Sequence, residues 1–123
     1  MTITLPRLQL IPLARETLEA LAGDRCKAER LLGARIPLTW PSRGMMTALP
    51  SLLEPLLTDP NATIWGIYAI VDRGRGWLVG DVGFKGRPDE KGAVKIGYKV
   101  LPTMRPRGFA GEAAAALVEW AFA

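Results

Sequence analysis

The chain has 123 residues, 49% of them hydrophobic and 23% charged, with 16 Lys and Arg against 12 Asp and Glu for a net charge of +4. That length makes one domain with room for a core, and the composition excludes an intrinsically disordered chain. One cysteine, Cys26, and no histidine exclude an internal disulfide, a Cys/His zinc centre and any catalytic device built on histidine.

No run approaches 18 uninterrupted apolar residues, and the start, MTITLPRLQLIPL, lacks the basic-then-apolar form of an export signal. A soluble, cytoplasmic protein without a membrane partner is therefore expected. Basic residues fall in short pairs such as Arg73/Arg75, Lys85/Arg87 and Arg105/Arg107 rather than in one long run. This favours anionic ligands, but no zinc-finger spacing, basic zipper or RNA motif accompanies it, so no nucleic-acid partner is expected.

In chain order, residues 3–10 alternate apolar and polar at Leu8, Gln9 and Leu10 and predict a first strand, with Pro6 tolerated only if that strand lies at an edge or starts late. Leu18, Leu21, Ala22, Ala28, Leu31 and Leu32 recur at helical spacing, interrupted at Gly23-Asp24 and stopped by Gly33, which predicts two short helices or one broken one. IPLTWPSRG (36–44) reads as a loop because of Pro37 and Pro41. Residues 46–57 return to helical spacing, and Pro50 and Pro55 predict that this helix comes in pieces. A turn is expected at Asp59-Pro60-Asn61.

The period then changes. TIWGIYAIV (63–71), GWLVGDVGFK (76–85) and GAVKIGYKV (92–100) are β-branched and aromatic runs joined by short Gly-bearing turns, and predict three antiparallel strands. The first run is apolar throughout, so helices are expected on both faces of the sheet. Ala110, Ala113, Ala114, Leu117, Trp120 and Ala121 form one stripe and predict a final helix. The fold class is α/β in the α+β sense: a mixed, mainly antiparallel sheet with helices on both faces.

Two glycine motifs invite a phosphate reading. GRGWLVG near Gly74 is followed by a strand rather than a helix, and reads as a hairpin turn. RPRGFAG (105–111) has the other context: a strand ending at Val100, a short loop, then a helix. Gly108 lets a ligand approach the backbone, Ala110 and Gly111 keep the first turn uncluttered, and free amides with Arg105 and Arg107 favour a pyrophosphate. A plain surface turn before a core helix accounts for the same residues. Trp40 and Trp65 fit either an acceptor site or ordinary packing.

These residues resemble the GCN5-related N-acetyltransferases, in particular the branch that acetylates ribosomal-protein N-termini and related amines. The family's signature of Arg or Gln, two residues, Gly, one residue, then Gly or Ala is met by Arg105, Gly108 and Ala110. LQLIPL, RIPLTWP, LVGDVGFKG (78–86), KIGYKVLP (95–102) and AAALVEWAFA (114–123) resemble that branch's successive elements, so residues 1–123 read as one partial acetyltransferase domain of the acyl-CoA N-acyltransferase type.

The resemblance implies that acetyl-CoA is the co-substrate and that no metal is used. Its pantothenate arm pairs with the backbone at Val100 and Leu101, and its pyrophosphate rests on the turn formed by Arg105, Arg107, Gly108, Phe109, Ala110 and Gly111. It further implies direct attack by a primary amine of the acceptor. Two positions depart from the pattern. Pro106 has no N–H in the phosphate turn, and Lys95 stands where relatives often carry a Glu, leaving the base unassigned, with Asp81 a conceivable substitute. The family pattern continues beyond the final helix, so the chain reads as truncated after the helix following the fourth strand. The strand at 92–100 is then expected to present an open edge that recruits a second copy. The alternative reading is a non-catalytic module that binds CoA or a partner.

Overall fold

The computed structural model describes residues 2–84, 89–93, 95–100 and 109–121. The three apolar runs after residue 63 form a meander: β3 (Ile67–Asp72), β4 (Trp77–Phe84) and β5 (Ile96–Val100), each antiparallel to the one before. The turn at Arg73–Gly76 confirms the hairpin reading of GRGWLVG. Gly76 takes φ 72°, a left-handed conformation that favours glycine, and the Asp72 carboxylate accepts from the Gly74 N–H at 3.0 Å. The expected strand at 92–100 is shorter. Residues 89–93 are instead a turn in which Asp89 Oδ1 accepts from the Lys91 and Ala93 amides, and residue 94 lies outside the described residues. Likewise the run at 63–71 starts its strand only at Ile67, because Pro60–Thr63 form a 3-10 turn.

The single strand expected at 3–10 is two strands. β1 (Ile3–Thr4) turns at Pro6 and Arg7 and pairs with β2 (Leu8–Pro12), with Ile3 opposite Leu10. Pro6 cannot donate to a ladder, and the Leu5 N–H closes the turn on the Leu8 carbonyl at 2.8 Å. β2 then pairs with β3, completing the order β1-β2-β3-β4-β5.

Helices α1 (Arg15–Gly23) and α2 (Arg25–Leu32) divide at Asp24, whose carboxylate caps α2 by accepting from the Lys27 N–H at 3.1 Å. Gly33 ends α2 with φ 65°. α3 (Arg43–Thr58) corrects the expectation of pieces, since it runs through both Pro50 and Pro55. Met46 and Ser51, whose carbonyls lose their helical donor to these prolines, are exposed residues, so water can satisfy them. Ser42 caps α3, its hydroxyl accepting from the Met45 N–H at 3.2 Å. Ser42→Ala should lower stability by about 1 kcal/mol, read as a reduced urea midpoint with unchanged slope; an unchanged midpoint would show the cap to be idle.

The helices cover both faces, as the apolar β3 run required. On one face Leu18, Leu21, Ala28, Leu32, Trp40 and Leu49 pack over Ala69 and Leu78. On the other, α4 (Phe109–Ala121) buries Ala113 and Leu117 against Leu8, Leu10, Tyr68, Ile70, Val79 and Val82. Burial pushes the Tyr68 phenol up to about 12, so it stays protonated and donates to the Ile64 carbonyl at 2.9 Å. At the outer end of α4, the Arg7 guanidinium donates from Nε to Glu112 at 2.6 Å, joining the β1–β2 turn to the helix's first turn.

Candidate functional site

An irregularity in the sheet sets the position of the one carboxylate in β4. Ile70 pairs with Gly80 but Val71 pairs with Leu78, so β4 holds one extra residue at this point. Leu78 packs in the α1–α3 layer and Val79 in the α4 layer. Unbroken alternation from Leu78 would send residue 81 toward α4. The extra residue reverses the parity, and Asp81, opposite Ala69, faces the α1–α3 layer.

Trp40 confirms that orientation. Its ring is 2% exposed, yet its Nε1 donates to Asp81 Oδ2 at 2.8 Å. The loop bearing Trp40 is held from beneath: Arg25 Nη2 donates to the carbonyls of Pro37 at 2.8 Å and Trp40 at 3.0 Å, and Glu29 accepts from the Ile36 N–H at 2.9 Å. The ring of Trp40 is core packing, its nitrogen holds Asp81, and Trp40 is not among the described residues that line the adjoining cavity.

Beside Asp81 opens a cavity of about 700 Å³. Leu13, Leu18, Leu52 and Leu56 of α3, Trp65 and Phe84 are among the residues that line it. Gly83 of β4 and Gly97 of β5 pair across the ladder and line the cavity between them. Gly83 has a further constraint, since a Cβ there would stand 2.7 Å from the Gly66 carbonyl oxygen and 2.9 Å from the Ile67 Cα. Among the described lining residues the ionisable groups are Asp59 and Asp81, both carboxylates. Trp65 meets Phe84 and Trp120 edge-on, with ring centroids 5.0 and 5.5 Å apart, so its ring is braced where it faces the cavity.

The residues expected to hold a coenzyme are in part outside the described residues: Leu101, Arg105, Arg107 and Gly108. Val100 ends β5, paired with Gly80, and Phe109, Ala110 and Gly111 open α4. A Cβ built on Gly111 meets nothing within 4 Å, so space lies beside the helix's first turn. Lys95 is exposed and precedes β5. The sequence reading missed Leu52, Leu56 and Asp59 as cavity residues. A signal existed for Gly83 alone, a glycine inside an apolar strand that marks a close backbone approach.

With this geometry in hand, comparison with known proteins is specific. A profile of the acetyltransferase (GNAT) domain matches residues 7–123. An uncharacterized N-acetyltransferase of Bacillus subtilis (strain 168), YjdG, is 30% identical over 115 residues, covering 94% of this chain and 68% of that protein. Among solved structures, a Vibrio cholerae protein provisionally named a ribosomal-protein-serine acetyltransferase superposes with TM-score 0.60 at 18% identity, over 99% of this chain and 67% of its own. A GNAT-family acetyltransferase from Bacillus anthracis gives TM-score 0.58, also at 18% identity, over 99% of this chain and 66% of its own. At these identities the structural matches establish the fold.

Proposed function

Since the chain belongs to the GNAT acetyltransferase family, we propose that it transfers acetyl from acetyl-CoA to a primary amine seated in the cavity beside Asp81. The observation that carries this reading is the domain match over residues 7–123. Supporting it, the cavity reaches β5 at Gly97, three residues before Val100, where the pantothenate arm would pair along Val100 and Leu101. The diphosphate would rest on the turn from Arg105 through Arg107 and Gly108 to Phe109, Ala110 and Gly111, where amides, helix dipole and two guanidinium groups favour an anion. The open space beside Gly111 fits that placement.

The acceptor, bound as an ammonium, gives one proton to solvent before it attacks, and attack by the neutral amine forms the C–N bond. The adduct's nitrogen then sheds a second proton, collapse breaks the C–S bond, and CoA leaves as a thiolate that takes up that second proton, leaving amide and thiol.

Calorimetric titration with acetyl-CoA tests the binding half. Arg107→Glu should weaken it about tenfold or more by replacing attraction with repulsion at the diphosphate; equal affinity would remove the arginine from the site. The exposed Lys95, in place of a carboxylate, favours a second reading, a CoA-binding module without catalysis. Release of CoA thiol in the presence of amines separates the two.

Residues 1–123 act as one partial acetyltransferase domain in this reading, in the cytoplasm, with neither nucleic acid nor membrane as partner. No helix among the described residues is long and apolar enough to cross a membrane. The outer edge of β5, Ile96–Val100, would recruit a second copy through its backbone groups, and a concentration-independent monomer in gel filtration would refute that.

A further inference from the structure

We infer that the acceptor is a small primary amine whose body is apolar and uncharged, its ammonium drawn to the Asp81 end of the cavity. This rests on the cavity being the acceptor's seat, as proposed above, and adds the chemical class.

Three observations carry it. First, much of the lining is aliphatic or aromatic, Leu13, Leu52, Leu56 and Trp65 among it, which rewards burial of an apolar body, and no cation stands among the described lining residues to pair with an anionic one. Second, the ionisable groups among the described lining residues are two carboxylates, Asp59 and Asp81, and a braced tryptophan ring adds a face that attracts cations. Third, Asp81 is held in place. Trp40 donates to its Oδ2 from a buried ring, and Arg25 fixes the loop that carries Trp40.

Asp81 stands opposite Lys99 in the β4–β5 ladder, and the inference does not require the carboxylate to be unpaired. Its two oxygens offer about four acceptor sites, so a carboxylate engaged by the indole and by a further interaction can still receive an ammonium. The volume of about 700 Å³ suits a small organic molecule.

The test is calorimetric titration at neutral pH with 2-phenylethylamine, its uncharged counterpart 2-phenylethanol, and the acidic amine glutamate. Acetyl-CoA is titrated into the same samples. The wild type should hold the amine about tenfold more tightly than the alcohol, with no measurable heat for glutamate. Asp81→Asn, which keeps an acceptor for Trp40, should remove most of that preference and leave the alcohol unchanged. Ser51→Lys puts a cation on the exposed wall of α3 and should weaken the amine without affecting the alcohol.

Equal affinity for amine and alcohol, an Asp81→Asn variant with the preference intact, or tight binding of glutamate would each overturn the inference. So would retention of a leucine-initiated peptide without retention of the free amine. Loss of acetyl-CoA binding alone would instead refute the transferase reading and leave the amine preference standing.

Discussion

Gly83→Ala should destabilise the fold by about 1–3 kcal/mol, a fall in melting temperature of roughly 4 °C for each kcal/mol. The sign is the informative part. Gly83 is not among the glycines with positive φ, so its backbone is open to alanine. On chain entropy alone Gly→Ala at such a site gains about 0.4–1 kcal/mol. Against that, the new methyl would sit 2.7 Å from the Gly66 oxygen and 2.9 Å from the Ile67 Cα. These are backbone atoms, and the Gly66 carbonyl is tied to the Phe84 N–H at 3.1 Å. They cannot swing aside as a side chain would, so the clash outweighs the entropy. A stabilised variant would mean that the 62–67 segment lies farther from β4. Thermal unfolding of Gly83→Ala and Gly83→Val checks this, with valine the more damaging.

Trp40→Ala should have the largest effect of any single change, about 3–5 kcal/mol, because the ring is 2% exposed at the centre of the α1–α3 layer. That is a large share of the roughly 5–15 kcal/mol that holds a typical domain together. Trp40→Phe separates packing from polarity. It retains most of the apolar bulk but deletes the Nε1 donor to Asp81, at an expected cost of about 1–3 kcal/mol. Urea unfolding of the two variants reads the difference. If phenylalanine is neutral, the hydrogen bond contributes nothing net; if it equals alanine, the ring's bulk is not what matters.

Where hydrophobic period decided the outcome, the fold was legible. The two short helices around Asp24, the meander from Ile67 to Val100, the coverage of both faces and the stripe of α4 all follow from it. The family resemblance came instead from the signature at Arg105, Gly108 and Ala110 and the matching segments, and the domain match bears it out. The misread elements are those where a local rule met tertiary context. Pro50 and Pro55 break no helix because their orphaned carbonyls can be hydrated. The run at 3–10 splits at the turn holding Pro6 into a two-residue edge strand, too short to show any period, and a strand that starts late at Leu8.

The cavity was largely illegible for a different reason. Trp40 and Asp81 are 41 residues apart, and the face on which Asp81 lies depends on one extra residue in β4, which no alternation pattern announces. Trp65 was weighed as an acceptor-side residue and does line the cavity, though its packing on Phe84 and Trp120 equally fits the plainer reading.

The latch between Arg7 and Glu112 spans 105 residues of sequence, and the layer it closes is built from both of the chain's far regions. A nascent chain emerging from the ribosome can form β2, β3 and β4 well before residues 109–121 are made. Until then the undersides of those strands, Leu8, Leu10, Tyr68, Ile70, Val79 and Val82, have no cover of their own. Strands paired ahead of that helix would carry exposed apolar surface of the kind that makes folding intermediates prone to aggregate.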